Sequence, residues 1–195
     1  MKVGIIGSGG REHALCTAIK KSKKVSEIYC FPGNGGTSTI SKNIDLDPND
    51  FEGLKKFILK NKIDLIIVGP EKPLVDGIVD FLEKNKIKVF GPNKIASQLE
   101  GSKIFTKNLC KKYKIPTADF GIFQNIEESY EFLNKCKMPI VIKADGLAAG
   151  KGVLIIKDLD EAKHELRSMI LDKKFGDSSS KVVIEEFLDG IELSC

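Results

Sequence analysis

Two short glycine-rich stretches hold the residue types best suited to gripping phosphate. The first is GSGGREHA, Gly7 to Ala14. It follows an apolar run and opens a helical pattern. Backbone N–H groups and the positive end of the helix therefore point at whatever lies above Gly9 and Gly10. Arg11 adds a guanidinium able to form a charge-assisted bond to a phosphate. Arginine is scarce here: only Arg11 and Arg167 occur among 31 basic residues. The stretch departs from the dinucleotide-binding fingerprint. Glu12 stands where a third glycine belongs, and the second strand runs into Phe31-Pro32-Gly33 with no ribose-binding acid. Nicotinamide redox chemistry is thereby disfavoured. A plain turn with a solvated arginine stays open, and His13 reads as a core or cap residue as readily as a ligand.

The second stretch is KADGLAAGKG, Lys143 to Gly152. It is not a P-loop. Three residues separate Gly146 from Gly150, and Gly152 rather than Ser or Thr follows Lys151. Strand patterns flank it on both sides, which predicts a flap between two antiparallel strands. Such a flap can close its N–H groups over triphosphate oxygens, with Lys143 and Lys151 offsetting their charge. A simple hairpin loop is the alternative. A third stretch, 182–192, ends a strand in Glu185 and Glu186 and continues through Phe187-Leu188-Asp189-Gly190 to Glu192. Its backbone suits an adenine edge and a downstream acid suits ribose hydroxyls. A solvated strand end is the plainer reading of Glu185 and Glu186.

The elements that must position these residues follow from hydropathy patterning. Strands are expected at Val3–Ile6, Ile28–Phe31, Leu65–Val68 and Lys88–Phe90. Helices are expected at Glu12–Lys20, around Phe51–Ile58, and as one helix carrying Leu74, Val75, Ile78, Val79 and Leu82. Alternation of strand and helix implies βαβ units and a parallel sheet. The loops Gly7–Gly10, Pro32–Gly36, Gly69–Pro73 and Gly91–Asn93 then share the carboxyl edge, where such sheets bind ligands. Residues 94–116 read as connecting helices, with Ile104, Phe105, Leu109 and Tyr113 on one stripe. Beyond Pro116 a smaller α+β unit is expected. Its strands are Ala118–Phe123, Pro139–Lys143, Val153–Lys157 and Lys181–Glu186. Its helices are Glu127–Cys136 and Asp158–Leu171, with a polar loop at Asp177–Ser180.

Composition narrows the class. The chain has 195 residues, is 42% hydrophobic and 30% charged, and contains no Trp. That is a globular composition with enough length for a core. No apolar run approaches the ~20 residues of a membrane span, and the N-terminus lacks a signal-peptide pattern. The net charge of +4 is too mild for a nucleic-acid binder. The Lys20–Lys24 cluster reads as a solvated helix end. Five cysteines without a CxxC pair indicate neither a zinc site nor a disulfide framework, which suits a reducing cytoplasm.

Seven segments, in order, resemble one family: GSGGREHA (7–14), PGNGGT (32–37), VGPEKPL (68–74), FGPNKIASQLEGSKIFTK (90–107), IPTADF (115–120), VIKADGLAAGKGV (141–153) and VIEEFLDGIELS (183–194). The sequence is similar to the glycinamide ribonucleotide synthetases of the ATP-grasp superfamily. The resemblance implies an α/β chain with a Rossmann-like (pre-ATP-grasp) parallel-sheet domain over 1–100. Connecting helices at 101–117 would lead to a small α+β ATP-grasp lid subdomain over 118–190, with a truncated hinge at 191–195. It implies ligation of glycine to 5-phosphoribosylamine, using ATP and Mg²⁺ or Mn²⁺, through a glycyl phosphate.

By the same resemblance Gly9, Gly10, Arg11 and Asn34 would bind phosphoribosylamine. Lys103, Lys143, Gly150, Lys151 and Gly152 would face the ATP phosphates. Glu185, Phe187 and Leu188 would form the adenine hinge, and Glu192 would hold the ribose. Family members are longer, so the catalytic half and the metal ligands are expected beyond Cys195, with none in this chain. The alternatives are a non-catalytic ribose-phosphate or nucleotide-binding fragment, or one half of a split ligase with a partner chain. No nucleic-acid or membrane partner is expected, and a cytoplasmic location is.

Overall fold

The computed structural model describes residues 1–148, 151–176 and 180–193. Gly150 and most of the expected polar loop at 177–180 lie outside these residues, as does Cys195. The chain divides into two compact units, Met1–Ser97 and Gln98–Cys195.

The first unit is built on five parallel strands: β1 (Lys2–Gly7), β2 (Glu27–Pro32), β3 (Lys42–Asn43), β4 (Leu65–Val68) and β5 (Val89–Phe90). Their order is β3-β2-β1-β4-β5. β1 is central and its residues are buried from Val3 onward, as expected for a strand covered on both faces. Helices α1 (Gly10–Lys20), α2 (Phe51–Asn61), α3 (Glu71–Asp76) and α4 (Ile78–Lys84) complete the unit. Ile6, Phe31, Leu54, Ile58, Ile66 and Leu82 form one core cluster; Val3, Ile5, Cys16, Ile28 and Cys30 form a second.

Two expectations are corrected here. The helix expected across 74–82 is two helices. Gly77 breaks it at φ +99°, a left-handed conformation that ends α3 and that glycine adopts without steric cost. The two-residue strand β3 (Lys42–Asn43) leaves no signal in the hydropathy pattern, because it is short, polar and exposed. Lys20, Lys21, Lys23 and Lys24 are exposed at the carboxyl end of α1.

Helix α5 (Lys94–Gly101) spans the division. The second unit opens with α6 (Lys103–Tyr113) and holds an antiparallel sheet of β6 (Phe120–Phe123), β7 (Ile140–Ala144), β8 (Val153–Ile156) and β9 (Val182–Glu186), ordered β6-β9-β7-β8. Helices α7 (Ile126–Leu133) and α8 (Leu159–Ile170) supply the core with Leu133, Leu166 and Met169. They meet Ile140, Ile142, Val182 and Ile184 of the sheet in one cluster. Alternation along the strands sends Val141, Lys143, Val183 and Glu185 to the other face. The register sets Val141 and Phe120 on either side of Glu185. The stripe expected on α6 is corrected: Tyr113 is 61% exposed, and the buried residue of that helix is Lys107.

Candidate active site

In the first unit the strand order reverses around β1, with β2 on one side and β4 on the other. The loops leaving β1 and β4 therefore diverge, and a crevice forms between them. A cleft of about 480 Å³ occupies that place, lined by Gly7–Glu12, Pro48, Asn49 and Pro70–Pro73. Arg11 Nη1 donates to Gly69 O at 2.6 Å, and Nη2 pairs with Glu71 Oε1 at 2.9 Å. The guanidinium thus joins the two loops across the cleft mouth. Hydrogen bonds from its own backbone and from Arg11 hold the Glu71 carboxyl below the usual range.

Glu12 closes the floor. It is buried, and Gly9 N donates to its Oε2. A Cβ placed at Gly69 would collide with Glu12 Oε1, and one at Gly7 would fall 2.7 Å from its side chain. Glycine at both positions makes room for the buried carboxylate. The amide of Gly9 is thereby engaged within the protein, and Gly10 opens the helix above it.

Asn34 joins the loop after β2 to the loop after β1. Its Nδ2 donates to Ser8 O and Gly9 O, and its Oδ1 accepts from the amides of Gly36 and Thr37. Gly9, Gly10 and Arg11 line the cleft, whereas Asn34 acts as a strut behind its wall. His13 lies against Gly36, where a Cβ would approach Nδ1 to 2.8 Å. Sequence reasoning noticed Glu12 only as a missing glycine and gave it no place in the site.

The second unit gathers charge on the sheet face opposite its main hydrophobic core. Lys143 Nζ on β7 and Lys107 Nζ on α6 both lie 2.9 Å from Glu185 Oε2 on β9. Glu185 is 4% exposed, which corrects its reading as a solvated strand end; Glu186 next to it is exposed. Its second oxygen, Oε1, is buried and has no hydrogen-bond partner among the described residues. An orphaned buried acceptor is costly unless something donates to it. Lys107 also donates to Thr117 Oγ1 at 2.7 Å and Ala118 O at 3.2 Å, and lies over the Phe120 ring.

The amino end of α6 is tied to the segment after β7. Ser102 caps the helix by accepting from Phe105 N, and its Oγ donates to Asp145 Oδ1 at 2.9 Å. Ile104 N donates to the same oxygen. Lys103 Nζ donates to Gly146 O at 3.0 Å. Burial, reinforced by the charge of Lys143 and opposed by Asp145, pushes the Lys103 ammonium below its usual pKa. An anion beside Lys103 and Lys143 would favour the charged form of Lys103.

The glycine-rich segment joins β7 to β8 in an antiparallel hairpin, closed by Ala144 N donating to Gly152 O at 2.8 Å. Gly152 is buried and Lys151 exposed. Phe187, Leu188 and Glu192 follow β9 and are exposed. Sequence reasoning missed Lys107, although its spacing of four from Lys103 puts both on one face of α6. Among the described residues no group of three or more His, Cys, Asp or Glu is arranged to hold a metal ion. Nor, among the described residues, is any helix long and apolar enough to cross a membrane.

Comparison with known proteins covers both units. The family model for the phosphoribosylglycinamide synthetase N domain matches residues 1–100, and the model for the ATP-grasp (A) domain of the same synthetase matches residues 101–195. The phosphoribosylamine–glycine ligase of Clostridium acetobutylicum is 51% identical over 194 residues, covering 100% of this chain and 47% of the relative. The crystal structure of the phosphoribosylamine–glycine ligase of Thermotoga maritima superposes with a TM-score of 0.80 at 36% identity, covering 98% of this chain and 45% of that one. The D-alanine–D-alanine ligase of Bacillus anthracis, solved with ATP, shares the fold at a TM-score of 0.67 and 22% identity, over 97% of this chain and 60% of that one. The chain spans about half the length of the curated relatives it matches.

Proposed function

The chain belongs to the phosphoribosylglycinamide synthetase family, and from that premise we propose that it serves the ATP-dependent ligation of glycine to 5-phosphoribosylamine. The observation that carries this reading is Glu185, paired with Lys107 and Lys143 and within electrostatic reach of Lys103, with one buried oxygen that has no hydrogen-bond partner among the described residues. It is a preformed polar patch in want of a ligand that both donates and carries negative charge. A nucleoside triphosphate has both properties.

In this reading ATP lies on the second unit. Lys103, Lys143 and the glycine-rich segment with Gly150, Lys151 and Gly152 neutralise its phosphates. Glu185, Phe187 and Leu188 receive the base, and Glu192 the ribose. Phosphoribosylamine enters the first unit's cleft, where Gly9, Gly10 and Arg11 line the wall that Asn34 braces. A glycine carboxylate oxygen attacks the γ-phosphorus and ADP leaves. The phosphoribosylamine nitrogen then attacks the acyl carbon of the glycyl phosphate, releasing inorganic phosphate and a proton. Lysines and amides contribute by positioning the reactants and neutralising charge as it develops. Mg²⁺ would accompany the nucleotide; the described acids offer no ready-made cluster for it. A cytoplasmic setting belongs to the same reading.

Equilibrium titration of the complete gene product tests the assignment. Lys143→Ala is expected to weaken ATP binding by about 1.5–3 kcal/mol, the range of a hydrogen bond to a charged group. Ribose 5-phosphate binding should be unchanged. Equal ATP affinity in the variant and the parent would overturn the phosphate role of Lys143.

A further inference from the structure

Glu185 receives two ammonium groups on one oxygen, yet the two lysines are held very differently. Lys107 is buried, with its side chain 10% exposed, and is fixed by Thr117 Oγ1 and Ala118 O as well as by Glu185. Lys143 is more open, with its side chain 26% exposed, and Glu185 is its hydrogen-bond partner among the described residues. One cation is anchored from three sides; the other is tethered at one point.

We propose that Lys107 is the resident counter-ion of Glu185 and that its presence frees Lys143 to engage an anionic ligand. The inference rests on the reading of Lys143 as a nucleotide-phosphate contact, and it adds a positioning residue to that site. The physical reason is the cost of stranding a buried carboxylate. If Lys143 were the sole partner of Glu185, its turn toward a phosphate would leave an unpaired charge in a buried place, which is strongly unfavourable. With Lys107 fixed on Oε2, Glu185 stays paired whichever way Lys143 points. The same arrangement keeps both cations on Oε2, while the buried Oε1 has no hydrogen-bond partner among the described residues. Lys107 itself need not touch the nucleotide. Its three acceptors are all protein oxygens, and none has to be surrendered.

The test is ligand binding to the complete gene product, comparing ATP with adenosine. Lys107→Met removes the charge and keeps most of the stem. Lys107→Gln does the same with a side chain that can still donate to Glu185, so the comparison survives if the Met variant folds poorly. The expected result is that either variant weakens ATP binding at least about tenfold, since Lys143 is then retained by Glu185. Adenosine binding, which involves no phosphate, should change less than about twofold. Lys107→Arg, which keeps the charge, should recover most of the ATP affinity. Equal losses for ATP and adenosine would show a merely structural lysine and overturn the proposal, as would unchanged ATP affinity in both neutral variants. If the parent protein binds adenosine but gains nothing from the phosphates, the phosphate role of Lys143 falls, and the proposal with it.

Discussion

Glu12 and Asn34 show how single residues shape the first unit's cleft without offering it free groups. Asn34 spends its amide on four backbone partners across two loops. Its removal should therefore register in stability before it registers in affinity. Asn34→Ala is expected to lower the unfolding free energy by about 1–3 kcal/mol, the cost of leaving such partners unpaired. Chemical denaturation followed by far-UV circular dichroism checks this; an unchanged midpoint would show that the loops hold without the strut. Arg11 also has protein partners, Gly69 O and Glu71. A phosphate in the cleft would find the guanidinium already oriented by them.

Pairing between elements governs the edge of the parallel sheet. Glu27 on β2 accepts from Lys42 on β3 and Tyr29 on its own strand, and pairs with Lys2 on β1. The hydrogen bond from Lys42, then those from Tyr29 and Lys2, bring the Glu27 pKa down from 4.5 to about 2. A carboxylate with a depressed folded pKa stabilises the fold above its unfolded value and loses that contribution as pH falls through the folded one. Glu27→Gln should thus flatten the pH dependence of stability between about pH 4.5 and pH 2, with little effect on nucleotide affinity. Denaturation midpoints measured across that window decide it; parallel curves for parent and variant would contradict the pairing.

Gly77 makes a second point about elements. A side chain there would be strained at φ +99° and would meet Lys94 Cδ at 3.1 Å. Gly77→Ala should destabilise the protein by about 1–2 kcal/mol, the cost of a non-glycine residue held in the left-handed region. An unchanged thermal midpoint would show that the α3–α4 junction relaxes.

Across the whole chain, what was legible depended on how local the signal is. Leu65–Val68 and the other apolar runs between glycine-rich turns marked the parallel strands, because burial on both faces leaves a continuous apolar run. The hairpin around KADGLAAGKG was legible from the strand patterns on both sides of it. The break at Gly77 was not, since the apolar spacing of Leu74, Val75, Ile78 and Val79 suits one continuous helix. The pairing of Glu185 with Lys107 and Lys143 was hidden for another reason. It joins a helix to two strands far apart in sequence, and only the β7–β9 register and the placement of α6 bring the three together. Candidate phosphate-binding residues could be suggested from glycine spacing, whereas the buried Lys107–Glu185 pair needed the fold.

The two units carry one candidate site each, and in the proposed function both serve a single ligation. The most direct measurement is ADP release by the complete gene product supplied with Mg-ATP, glycine and freshly prepared phosphoribosylamine, with each omitted in turn. The expected result is turnover that requires all three and yields glycinamide ribonucleotide in step with ADP. Turnover that proceeds without glycine, or that accepts another carboxylate in its place while phosphoribosylamine is dispensable, would overturn the proposed ligation.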